Sequence, residues 1–290
     1  MKSGPFRAFS HPRSDRPGAE RLRELTALGK AAMKASGQSR GCGTLIKYHL
    51  VGTYHKAGTI WMRGVFYNLC KEVGLPFIKK FDESASSSDQ DRVCGFNDHS
   101  LFPKDFLYRE DVRILHVIRD PRNMLLSGMH YHERCPPDRE RWLHQPRPGL
   151  NGRSYQQHLR SLSGINEKLK FEMQNSHRAN MRLMREWDYE NPSSIEVRYE
   201  QLMDDIEGVF FTDVLRRLGL TKEEADIGRT IFLAKHVRRA GRDNTGHVRE
   251  RETDWRDELP RETAALYAEW YGQDLINLGY ESDHTWVNRL

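Results

Sequence analysis

The chain has 290 residues, with 46 Lys and Arg against 41 Asp and Glu, a formal charge of +5, and 37% hydrophobic and 30% charged residues. That is the profile of a folded, heavily solvated domain with one substantial core, and it excludes a disordered chain. No run approaches the roughly 20 apolar residues of a membrane span, and Met1 to Gly18 lacks the apolar stretch of a secretory signal, so a cytoplasmic protein with no membrane partner is expected.

The cysteines Cys42, Cys70, Cys94 and Cys135 stand far apart with no CxxC spacing, which predicts free thiols rather than a disulfide scaffold or a zinc site. The mild basic excess suits an anionic ligand. Nucleic acid would fit the charge as well, but no Lys/Arg stripe interleaved with aromatics is present, and no nucleic-acid partner is expected.

Residues 1–40 are rich in Pro, Gly, Ser and Arg at first and then helix-forming, and read as an arm before a single domain over 41–290. Leu45 to Tyr54 is a strand pattern that runs straight into a helix pattern in which Trp61, Val65, Leu69 and Val73 share a face, with Gly74 and Pro76 as its stop. Lys80 to Asp98 is Ser/Asp-rich and aperiodic, and predicts a surface loop. Arg113 to Ile118 predicts a second strand, and Asp120-Pro121 opens a second helix.

Residues 134–154, rich in Pro, Arg and Gly, predict a long mobile loop or lid. A helical stretch from Tyr155 to Asp188 leads to a third strand, Ile195 to Tyr199. Helices follow over Gln201 to Leu218 and Lys222 to His236, then a polar segment, and a last helix from Arg261 to Leu278 with Gly279 in the cap position. Alternating strands and helices predict an α/β fold with a central parallel β-sheet flanked by helices, whose ligands bind in the turns after Tyr54, Ile118 and Tyr199.

The first of these turns reads Tyr54-His55-Lys56-Ala57-Gly58-Thr59-Ile60-Trp61. A glycine that admits an anion to the backbone, a helix start, a lysine and a hydroxyl make a phosphate cradle, although an ordinary strand-to-helix turn with a surface lysine fits equally. It is not the GxxxxGK[ST] pattern, because the lysine precedes a single glycine. The second turn places Arg119 at a strand end and Ser127 eight positions later in the helix, a guanidinium fork and a hydroxyl that could share a phosphate.

YHKAGTIW resembles the YPKSGTTW signature of the cytosolic PAPS-dependent sulfotransferases, with His55 in place of its proline and Ala57 in place of its first serine. HVIRDPRNMLLSGMHYH is similar to that family's YVxRNPKDxxxSxxxF segment, EVRYEQL to its FxxYEDL, and GHVRERETDWRDELP to its RKGxxGDW stretch, though the last lacks the two glycines and is one residue short. The resemblance spans roughly residues 45–260 and implies a P-loop-like sulfotransferase fold and transfer of a sulfuryl group from 3'-phosphoadenosine 5'-phosphosulfate (PAPS) to a small acceptor without a metal. It assigns the 5'-phosphosulfate to Lys56, Ala57, Gly58, Thr59 and Ile60, and adenine to Trp61 and Tyr199. The 3'-phosphate falls to Arg119, Ser127 and Arg249, or Arg251 if the register slips.

Asn97-Asp98-His99 stands where the family has Lys-Thr-His, which makes His99 the general base and Lys56 the catalytic cation, with the neighbouring Asp98 able to share or take over the base role. On the acceptor side lie segments carrying Tyr54, Phe77, Phe81, Asp98, His130, Tyr131, His132 and Trp142, a small and partly aromatic setting for the hydroxyl or amine of a soluble metabolite or natural product. The rival readings are a P-loop-type kinase, which lacks its glycines here, and a nucleotide-binding protein without catalysis. A homodimer is compatible with the sequence but is not read from it.

Overall fold

The computed structural model describes residues 45–87, 90–236 and 254–290. Cys42, Arg249, Arg251 and the whole N-terminal arm (1–40) therefore lie outside the described residues, while Cys70, Cys94 and Cys135 are buried free thiols.

Strands β1 (Tyr48–Gly52), β2 (Phe77–Ile78), β3 (Val93–Asn97), β4 (Val112–Ile118) and β5 (Ser194–Arg198) form one sheet in the order β2-β3-β1-β4-β5. All four pairings are parallel. Every residue of β1 is buried, as a central parallel strand covered on both faces requires. Alternate side chains serve opposite layers. Val51, Leu115 and Val117 pack with α1 (Thr59–Val73) and with Phe211 and Phe232 of later helices. Tyr48, Leu50, Val112 and Ile114 pack on the other side with Phe81 and Phe106.

Helix α1 ends as its sequence predicts: Gly74 adopts φ 72 and returns its N–H to the Cys70 carbonyl. Helix α2 (Pro121–Arg134) begins with Pro at its first turn and with Asp120 as N-cap, the carboxylate accepting from the Arg122 N–H.

Several expectations are corrected. Within Lys80 to Asp98 lies β3, fully buried next to the central strand, and its Gly95 is required because the Phe81 ring would sit 2.4 Å from any Cβ there. Residues 134–154 are not an irregular loop: they contain α3 (Arg141–His144), a 3-10 turn and a bridge between Pro146 and Ser154. The stretch from Tyr155 to Asp188 is three helices, α4 (Tyr155–Ser161), α5 (Gly164–Gln174) and α6 (Ser176–Glu186), broken at Gly164 (φ 81) and at Asn175 (φ −123, ψ −101).

The later helices are α7 (Tyr199–Asp204), α8 (Val209–Arg217), α9 (Lys222–Ala234), α10 (Trp255–Glu258) and α11 (Arg261–Asn277), so Tyr199 opens a helix rather than closing β5. Helices α2, α5, α6 and α11 share a second core that includes Met124, Met129, Leu169, Met181 and Tyr267. Among the described residues no helix is long and apolar enough to cross a membrane.

Candidate active site

The turn between β1 and α1 is held in an unusual backbone conformation. Lys56 (φ 69) and Gly58 (φ 84) both lie in the left-handed region, which costs a non-glycine residue about 1 kcal/mol or more and so needs a surrounding structure to maintain it. That structure is visible. The Ala57 N–H donates to the Tyr54 carbonyl at 2.9 Å, and the Thr59 hydroxyl donates to the same carbonyl at 2.9 Å while also contacting the Thr53 hydroxyl. No side chain caps the start of α1, so its first N–H groups and the positive end of the helix face outward from the turn.

The second turn is tied to the first. Arg119, at the carboxyl end of β4, donates from Nη1 to the Lys56 carbonyl at 2.8 Å and lies over the Tyr199 ring at 4.6 Å. Tyr199, from the third turn, packs against Gly58 so closely that a Cβ there would come within 2.8 Å of its ring. Trp61 meets the edge of Tyr199 at 6.0 Å and stacks on Phe232 at 5.2 Å, with its Nε1–H buried and without a partner among the described residues. The Lys56 stem runs past Gly128, next to the half-buried Ser127, and its ammonium sits 4.2 Å from the Tyr131 ring centre.

Residues chosen from three separate stretches of sequence thus meet at the carboxyl ends of the strands. Two cations, an uncapped helix start, a hydroxyl and a buried indole donor form a donor set that fits a nucleotide carrying two anionic ends. Ile60 is exposed and Ala57 fully buried, so neither side chain reaches into this space as a polar ligand. The Trp255 N–H donates to Asn123 Oδ1 at 2.9 Å, which places Trp255 at the first turn of α2.

The acceptor side differs more from expectation. Tyr54 and Phe81 have no exposed surface: the Tyr54 hydroxyl contacts His116 Nε2 at 2.9 Å, and Phe81 packs edge-on to Phe106. Both are core aromatics in this structure and offer no face to a ligand. Asp98 faces Arg63, one turn into α1, at 3.3 Å. His99 is exposed, and its backbone N–H is held by Asn97 Oδ1 at 3.0 Å.

Tyr131 and Trp142 converge on Glu140, which accepts from the indole Nε1–H at 2.9 Å and from the Tyr131 hydroxyl at 3.4 Å; burial raises the Tyr131 phenol above its ordinary range. An open depression of about 460 Å³ bordered by Asp82, Glu83, Leu101 and Phe102 lies in the segments on either side of His99. Sequence reasoning missed Arg63, whose partner Asp98 lies in another element and carries no local signal, and Glu140.

An all-parallel sheet with a lysine-glycine turn after its central strand and an arginine after the adjacent strand is a P-loop-like α/β arrangement. Within that class the fold is that of the sulfotransferases. Mouse sulfotransferase SULT7A1 complexed with PAP superposes with a TM-score of 0.51 at 14% identity, covering 81% of this chain and 86% of that one. Retinol dehydratase in complex with androsterone and the inactive cofactor PAP gives a TM-score of 0.45 at 13% identity, over 80% of this chain and 81% of that one. No family model matches the sequence, and no curated protein matches it in a sequence search.

Proposed function

We propose that the chain is a PAPS-dependent sulfotransferase, acting on a hydroxyl or amine of a small soluble metabolite or natural product. The observation that carries this reading is the contact chain Lys56–Arg119–Tyr199–Gly58–Trp61, which joins three strand-end turns around one anion-binding space. When bound, PAPS would supply the activated sulfuryl group.

The chain's own residues bind, position and hold charge. Lys56 stands where a cation can take up negative charge developing on a leaving phosphate oxygen, and the start of α1 at Gly58 and Thr59 presents N–H donors toward sulfuryl oxygens. Arg119 and Ser127 hold the distal phosphate, with Arg249 or Arg251 as a further clamp, and Trp61 and Tyr199 flank the base. His99 is the imidazole that the resemblance assigns to the acceptor proton, and Tyr131 and Trp142 border the acceptor. Positioning and charge stabilisation then provide most of the catalysis. Nothing in this donor set requires a metal.

Calorimetric titration of 3'-phosphoadenosine 5'-phosphate (PAP) and, separately, ATP into the unaltered protein and Arg119→Ala, without added metal, tests the reading. Tight PAP binding that is lost in the variant supports it. Preference for ATP with magnesium would move the chain to the kinases.

A further inference from the structure

The site contains a second imidazole system for which the resemblance has no counterpart, because His55 stands where the family pattern has proline. His55 Nε2 lies 3.0 Å from His132 Nε2, and His132 Nδ1 lies 2.8 Å from Glu172 Oε1. His132 and Glu172 are buried, at 0% and 1% exposure, with His132 enclosed edge-on by Trp142 and Tyr155. His55 is half-buried in the cradle turn itself, next to Lys56.

The chain of contacts fixes the protons. An ionised carboxylate only accepts, so His132 carries its proton on Nδ1 and presents a lone pair at Nε2. His55 must then donate from Nε2, which leaves its Nδ1 as a bare acceptor, and no described residue hydrogen-bonds that atom. A buried carboxylate whose negative charge is relayed through two rings to an accepting nitrogen beside the cradle is the arrangement used to orient a general base and to stabilise it once protonated.

On the sulfotransferase reading, we infer that His55, oriented by His132 and Glu172, takes the acceptor's proton during sulfuryl transfer, in the role the resemblance gives to His99. As the acceptor oxygen bonds to sulfur, the bond from sulfur to the bridging phosphate oxygen breaks and its electron pair leaves with the 5'-phosphate. The acceptor proton goes to His55 Nδ1 and is released to solvent after the products depart. The positive charge on the His55 ring is balanced through His132 by Glu172.

Burial, with the Lys56 ammonium adding to it, holds His55 well below the usual imidazole range, so it is neutral and able to accept at physiological pH. The groups facing it are Lys56 on its own turn, Tyr131 and His132 on α2, Glu172 behind His132 on α5, and His99 after β3. His99, by contrast, is exposed, and no described side chain orients its ring.

The test compares the unaltered protein with His55→Asn, His99→Asn, His132→Gln and Glu172→Gln. PAP affinity and thermal midpoint report an intact site, and PAP release from PAPS reports transfer to water, to 4-methoxyphenol and to the readily ionised 4-nitrophenol. His55→Asn is expected to keep PAP affinity and to lose about 100-fold in transfer to 4-methoxyphenol, with much less loss to ionised 4-nitrophenol, which needs no base. Glu172→Gln and His132→Gln are expected to lose about 10-fold and, for Glu172→Gln, to move the acid limb of the pH–rate profile to lower pH, because the carboxylate no longer favours the imidazolium.

Nitrogen NMR of the unaltered protein should find His55 protonated on Nε2 and bare on Nδ1. The opposite tautomer overturns the inference, as does an acceptor-dependent loss in His99→Asn with none in His55→Asn, or PAP binding with no turnover at all. Failure of the unaltered protein to bind PAP would instead remove the sulfotransferase reading.

Discussion

Arg119 Nη1 donates to the carbonyl oxygen of Lys56 across 2.8 Å, so the turn after β4 holds the turn after β1 in place. The same guanidinium covers the Tyr199 ring, and one side chain therefore supports all three strand-end turns. Arg119→Ala removes both the anion contact and this support, and PAP affinity is expected to fall by about 2 kcal/mol, roughly 30-fold. Arg119→Lys keeps the charge but not the fork, and recovers only part of the affinity. Titration calorimetry on the three proteins checks this.

Gly58 is the position in the cradle where only glycine fits. Its φ of 84 disfavours any side chain, and a Cβ would lie 2.8 Å from the Tyr199 ring. Gly58→Ala is expected to cost about 1–3 kcal/mol of stability and to weaken PAP binding further by displacing Tyr199. Adding Tyr199→Leu should relieve the clash but not the backbone strain, so the double variant regains part of the stability. Urea unfolding and calorimetry separate the two effects.

The β1–α1 and β4–α2 units were legible in the sequence because each carries a strand pattern, a turn residue and a helix period in immediate succession. β3 was not: Val-Cys-Gly-Phe-Asn is short, contains a glycine that admits the Phe81 ring and the Leu50 side chain, and is preceded by a polar run. The cradle, Arg119 and Tyr199 could be named because motif spacing places them at strand ends. Tyr54 and Phe81 could not be sorted into core or site by the same means, since an aromatic beside a strand end serves either. Glu172 has no local signature at all; its partner His132 lies on α2 and the pairing exists only after α5 packs against it.

Stability should depend on pH through buried histidines. Burial lowers the His177 pKa from 6.5 to about 3, and its ring contacts the Tyr267 hydroxyl at 2.9 Å. In the unfolded chain this ring takes a proton near pH 6.5 while in the folded protein it does not until about pH 3. Its contribution is complete above pH 6.5 and is lost as pH falls from 6.5 toward 3, by about 1.4 kcal/mol per pH unit. Burial acts in the same direction on His49 and His116. Urea midpoints are expected to drop steeply below pH 6.5, and His177→Asn should flatten that slope by about one proton. An unchanged slope in the variant would place the acid sensitivity elsewhere.

The strongest single dependence is expected at Arg122, which is 1% exposed and lies between the rings of Trp255 and Trp286 at 3.7 and 4.7 Å. Its guanidinium pairs with Asp120 at 2.8 Å and with Glu281 at 2.5 Å, joining the start of α2 to the chain's C-terminal end. Arg122→Met would leave the buried Asp120 without the guanidinium it pairs with and Glu281 with Arg289 alone, and a cost of about 3–5 kcal/mol is expected. Because Asp120 also caps α2 and adjoins Arg119, PAP affinity should fall in the same variant. Replacing both carboxylates as well, with Asp120→Asn and Glu281→Gln, removes the stranded charges and should recover part of the stability. If the triple variant is no more stable than Arg122→Met, the loss comes from packing between the two tryptophans rather than from unpaired charge, and chemical denaturation of the three proteins decides it.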